Sequence, residues 1–307
     1  MGDKPFTKLT VRDIANVRQA LRESLAASGP TARSRSTVSH IASHNRDFLT
    51  WLIKQDGFRQ LPRDLPDYLE LSKGDYETAA PTSPRPYPTV DEMAELLENM
   101  PSRTIGQKRD RAMISIALLG ALRVRTLSTL LIRHIDVEAR LIFQDATEVE
   151  AKNGKSLRIR WFDIPGVFAE VAVEWMSLLA DAGFGDKDAL FPELSAFAGR
   201  KKKPRRDGSP VPVMTSNSAA TAAFRAACVG HHTQYSPHSV KDAIAYERDH
   251  RPLTIKQRKA WSENMGHDSE QTTERYYGKL TEAERIEALE RIDDDATGPP
   301  ALYLPKP

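Results

Sequence analysis

With 307 residues, the chain is long enough for two compact domains, each burying its own core. Charged residues make up 28% and hydrophobic ones 40%, and no apolar run approaches the roughly 20 residues a membrane-spanning helix needs, which argues against a helical membrane protein. A net charge of +2 and a pI near 8.5 neither demand nor exclude nucleic acid; the lone Cys228 excludes an internal disulfide and a zinc site built on cysteine pairs.

The opening MGDKPFTKLT lacks the apolar core of a secretory signal, and the expected location is a reducing cytoplasm. Thr10 and Asp13 resemble a capping box, and Val11, Ile14, Val17, Leu21 and Leu25 recur at helical spacing until Ser28–Pro30. A second helix follows, on which Val38, Ile41, Phe48, Trp51 and Leu52 form one stripe while Arg33, Arg35, His40 and Arg46 lie mostly off it. From Leu61 to Pro88 the periodicity fades and prolines collect, which marks a linker. The expected division is a small helical domain over 1–80 with a basic outer face, a linker over 81–88 and a second domain over 89–307.

In the second domain, Thr89 and Glu92 pattern as a capping box, and a longer helix runs through QKRDRAMISIALLG to Gly120. A β section follows: RLIFQDATEVE, the turn AKNGKS with its Asn-Gly signal, and the alternating return strand LRIRWFDI. From Val167 the chain is again mainly helical. The fold class expected is mainly α with a small antiparallel β-sheet.

The densest basic run, Arg200 to Gly208, holds Lys201, Lys202, Lys203, Arg205 and Arg206; a second runs from Arg251 to Lys259. Either could neutralise phosphates or be a solvated face. In SPHSVKDAIAYE, Ser236 patterns as the cap of a helix whose first position is Pro237, which puts His238 and Lys241 on one face at its N-terminus, a natural anion seat. The adjacent Tyr276 and Tyr277, in GHDSEQTTERYYGKL, are chemical groups or packing groups on this reading alone.

Read together, these pieces resemble the tyrosine recombinases, the phage-integrase family of site-specific recombinases. GALRVRTLSTL has the Gly-x-x-Arg placement of the first arginine box, HSVK is similar to the His-x-x-Arg box, and GHDSEQTTERYYGKL resembles the Gly-His box with a nucleophilic tyrosine nine residues after the histidine, here Tyr276. The resemblance covers nearly the whole chain and is strongest from about Thr89 to Leu280. It implies a helical core-binding domain ahead of a mixed α/β catalytic domain, the two clamping opposite sides of double-stranded DNA at specific recombination sites, with Arg33, Arg35, Arg46 and the Lys201–Arg206 run as candidate DNA contacts. It implies a homotetramer on DNA, aided by accessory DNA-bending proteins.

The resemblance also implies the chemistry. Tyr276 attacks a phosphodiester to give a 3′-phosphotyrosyl link and a free 5′-hydroxyl, and a second strand's 5′-hydroxyl reverses the step. Arg123 takes the non-bridging oxygens, and Lys152 protonates the leaving 5′-oxygen, with Lys155 as the nearby competitor. His238 exchanges a proton with the tyrosine, His267 hydrogen-bonds the phosphate and Lys241 stands in the second arginine's place. Neither ATP, a metal nor any other cofactor is required. Two positions depart from the pattern: Lys241 offers a point charge where arginine offers a fork, and Thr126 stands where an acidic residue is common. A type IB topoisomerase and a catalytically degenerate DNA-binding protein are the alternative functions. After the tyrosines, Thr281 to Ile292 patterns as a short amphipathic helix, which either folds back on its own domain or, following the family's habit, docks on a neighbouring protomer.

Overall fold

The computed structural model describes residues 4–77, 86–151, 154–198, 209–267 and 286. The chain divides into two compact units, Met1–Pro84 and Arg85–Pro307.

The first unit is helical. Helix α1 (Val11–Ala26) starts in the expected capping box, with Thr10 and Asp13 each accepting the other's backbone N–H. Lys4 also bonds the Asp13 carboxylate, which holds its pKa at about 2. Helix α2 (Arg35–Leu52) buries Val38, Ala42, Leu49 and Leu52. The expected stripe is corrected here: Phe48 and Trp51 are 39% and 56% exposed. At about 100° per residue, Ala42, Leu49 and Leu52 fall within roughly 40° of Val38, whereas Trp51 falls about 140° away. The two exposed rings contact each other, and Phe6 packs edge-on against Phe48. The loss of periodicity at Leu61 is not a loss of structure, because Leu61, Leu65 and Leu69 pack into the core of α1 and α2 around a 3-10 turn at Leu65–Leu69. A short helix α3 (Lys73–Glu77) follows.

In the second unit, α4 (Val90–Asn99) and α5 (Ile105–Leu119) precede a short α6 (Val124–Thr129). Every residue of α5 from Ala112 to Leu119 is buried, as expected of a helix surrounded by others. Thr89 accepts the Glu92 N–H, but the Glu92 carboxylate accepts from the Tyr235 hydroxyl and sits 3.2 Å from His231, so the expected capping box is only half formed. The three-stranded antiparallel sheet has the order β1 (Ile135–Asp136), β2 (Leu141–Gln144), β3 (Leu157–Arg160), with Ile142 opposite both Ile135 and Ile159. Strand β1 was not expected. The outgoing strand is shorter than its sequence pattern, because the Glu148 and Val149 N–H groups turn back to the Asp145 carbonyl. Helices α7 (Gly166–Asp181), α8 (Ser218–Ala227), α9 (Ser239–Asp249) and α10 (Ile255–Asn264) complete the unit. Among the described residues no helix is long and apolar enough to cross a membrane.

Candidate active site

Arg123 owes its position to the way α5 ends. The N–H groups of Gly120, Ala121 and Leu122 return to the last turn of the helix, and Ala121 adopts φ +45°, so the chain reverses within two residues. A Cβ on Gly120 would lie 2.7 Å from the Ile142 side chain and 2.9 Å from that of Leu122, so a larger residue there would force those side chains to shift. Arg123 then caps α6, and its side chain forms part of the wall of a cavity of about 400 Å³. His238 and Lys241 line the same cavity from the start of α9. No acceptor among the described residues takes a hydrogen bond from the Arg123 guanidinium.

Helix α9 begins two residues later than its sequence suggests. His238, not Ser236, is the N-cap, and the Ser236 carbonyl accepts from both the N–H and the hydroxyl of Ser239. Pro237 is buried while His238 is exposed. The approach to this helix is fixed by Tyr235, whose phenol donates to Glu92 at 2.8 Å. Its pKa is pushed up to about 12, by burial first and by the Glu92 bond second.

Lys241 is buried, with 3% of its surface exposed, and its Nζ donates to the Met265 carbonyl at 2.7 Å. That carbonyl belongs to the C-terminal end of α10, where the helix dipole favours a cation. Lys241 therefore bridges the helix carrying His238 to the turn carrying His267. The Gly-His pair is itself a Schellman motif: Gly266 at φ +77° donates to Glu263, and His267 donates to Ser262. A Cβ on Gly266 would meet Leu157 of β3 at 3.1 Å. His267 is left 3% exposed. Asn264 pairs both ways with the Arg160 backbone at the end of β3, a tie that the sequence did not suggest.

The β-hairpin meets α6 through two hydroxyls. Thr126, where an acid is common, donates to the Glu150 carbonyl at 3.0 Å, and Thr129 accepts the Glu150 N–H at 3.0 Å. Thr126 thus secures the hairpin rather than the arginine. Lys152 lies outside the described residues. Lys155 lines a narrow second cavity of about 20 Å³ together with Arg123, Lys241 and Gly266. Gly154 between them takes φ +60°, as a tight turn needs.

Tyr276, Tyr277, the run Lys201, Lys202, Lys203, Arg205, Arg206, and the tail after the tyrosines, Ile286 apart, also lie outside the described residues. In the first unit Arg33 is exposed, Arg35 lies over the Tyr76 ring at 5.4 Å, and Arg46 approaches Glu70 at 3.9 Å. In the second basic run three of the four cations are paired: Arg251 with Glu247 and Asp163, Arg258 with Asp249 and Lys259 with Glu263. Arg248 is buried between Asp249 and Ser262.

The model of the phage integrase family matches residues 87–283. Among solved structures, the chain is similar to the Tn1549 transposon integrase in complex with circular intermediate DNA, at 16% identity over 94% of this chain and 88% of that one, with a TM-score of 0.55. It is similar to a lambda integrase dimer bound to a COC′ core site, at 15% identity over 92% and 87% of the two chains, with a TM-score of 0.54. It also resembles the XerH site-specific recombinase bound to a palindromic difH substrate, at 14% identity over 95% and 72%, with a TM-score of 0.56. No curated protein matches the sequence.

Proposed function

The chain belongs to the phage integrase family of tyrosine recombinases, and we propose that it exchanges DNA strands at specific sites with Tyr276 as the nucleophile. The observation that carries this reading is Arg123, a guanidinium with no acceptor among the described residues, on the wall of the cavity that His238 and Lys241 also line. Such a group suits the non-bridging oxygens of a phosphate, where charge builds up as a five-coordinate transition state forms. The tyrosine oxygen bonds to phosphorus as the 5′-oxygen leaves, and the phosphodiester energy is kept in the phosphotyrosine. A proton passes from the phenol to His238, and another reaches the departing 5′-oxygen from Lys152, or from Lys155, which lines the narrow cavity beside Arg123. Lys241 supplies charge, and its bond to Met265 couples that charge to the turn holding His267.

DNA is the partner this reading requires, and the three solved structures named above were determined with DNA bound. The assembly proposed is a tetramer on DNA, assisted by DNA-bending proteins, acting in the cytoplasm. A binding site selected from random duplexes, built into a suicide duplex and a Holliday junction, tests the function. A recombinase becomes covalently trapped on the first and resolves the second. Trapping without resolution, together with relaxation of supercoiled plasmid, would point to a topoisomerase, and binding without trapping to a degenerate site.

A further inference from the structure

We propose that Arg125 is a second phosphate-binding residue, and that Glu150 holds its guanidinium in the pose a backbone phosphate beside the scissile one would take; the proposal rests on DNA being the substrate. Two residues beyond Arg123, Arg125 faces the same cavity, and Glu150 faces it from the hairpin. Arg125 donates from Nε to Glu150 Oε2 at 2.6 Å and from Nη2 to Oε1, while Nη1 donates to the Thr215 carbonyl at 3.0 Å. This is a planar fork on two oxygens, the arrangement in which arginine also takes phosphate. Thr126 and Thr129 pin the Glu150 backbone to α6 while its carboxylate stays free to turn, and the Thr215 carbonyl holds the guanidinium from the segment before α8.

The pair makes a poor staple for the fold. Its side chains are 38% and 56% exposed, and an ion pair that wet contributes little to stability. Its surroundings are cationic, with Arg123 and Lys241 on the same wall, and Glu150 is the one carboxylate among the described lining residues. A polyanion entering this cavity meets one group of its own sign, already seated on an arginine fork. A phosphate can take the carboxylate's place on that fork while Glu150 turns to solvent. The sequence hides this arrangement, because Arg125 and Glu150 are 25 positions apart and only the fold brings them together.

The test is the salt dependence of binding to a short mixed-sequence duplex, read by fluorescence anisotropy on the full chain. Removing one cation that pairs with a phosphate lowers the slope of log K against log salt by about 0.9. Arg125→Gln is expected to weaken binding and reduce the slope by about that much, Arg125→Lys to weaken binding with the slope kept, and Glu150→Gln to bind at least as tightly as the wild type. A wild-type slope in Arg125→Gln, or a Glu150→Gln variant weakened like Arg125→Gln, would overturn the proposal. Should Arg125→Gln fail to fold, the other two variants decide: weaker binding by Glu150→Gln, or a reduced slope in Arg125→Lys, overturns it. The readout is binding, so it stands whether or not strand exchange does.

Discussion

Arg123 and Lys241 carry the proposed chemistry in different ways. Arg123 has its guanidinium open to the cavity, so Arg123→Gln removes transition-state contacts and little else. Single-turnover cleavage of a suicide duplex should fall by about a hundredfold or more, with binding largely retained. Lys241 is also part of the structure, since its ammonium satisfies the Met265 carbonyl. Lys241→Ala should therefore slow cleavage by a similar factor and also lower the melting temperature, by leaving that carbonyl without its donor. Wild-type cleavage by Lys241→Ala would remove it from the phosphate site. Arg248 and Arg251, the nearest other cations in sequence, are already engaged by acidic neighbours. The sequence made Arg123, His238, Lys241 and His267 legible because each sits in a local box. It could not show that Thr126 grips the hairpin or that Arg125 faces Glu150, because such contacts join residues that only the fold brings together.

Among the elements, the turn after α10 and the approach to α9 decide where the two histidines sit. Gly266 needs its positive φ, and a Cβ there would also crowd the end of the Leu157 side chain. Gly266→Ala should cost about 1–2 kcal/mol in denaturant unfolding, from the left-handed backbone alone, and should reduce cleavage as His267 shifts. Unchanged stability would mean that the turn relaxes without penalty. Tyr235→Phe removes the bond to Glu92 and should cost about 1 kcal/mol, with cleavage falling as the start of α9 loosens. Helix and strand periodicity located most elements, but their edges followed tertiary contacts. Pro237 is buried ahead of α9 rather than within it, and Trp51 looked like core until the helical angle placed it outside. Strand β1 is two residues long, too short to leave a periodic signal.

For the whole molecule, a net charge of +2 does not describe the surface that DNA meets. Most of the second basic run is engaged in internal pairs, whereas the described cavity walls carry Arg123, Arg125 and Lys241 against Glu150. Binding should weaken steeply as salt rises despite the near-neutral total. If the segment from Thr281 to Ile292 links protomers, deleting everything after Gly278 should weaken synapsis of two sites more than binding to one. Equal loss of both would show that the segment serves its own domain. Everything proposed for the chemistry turns on Tyr276 becoming covalently joined to DNA, and mass spectrometry of the complex trapped on a suicide duplex reads that bond directly. Cleavage after Arg275 and Lys279 by trypsin isolates a peptide with both tyrosines, and its fragment ions distinguish them. The expected result is a nucleotide remnant on Tyr276, absent from Tyr276→Phe and kept in Tyr277→Phe; a remnant on Tyr277, or no covalent complex from the wild type, would contradict it.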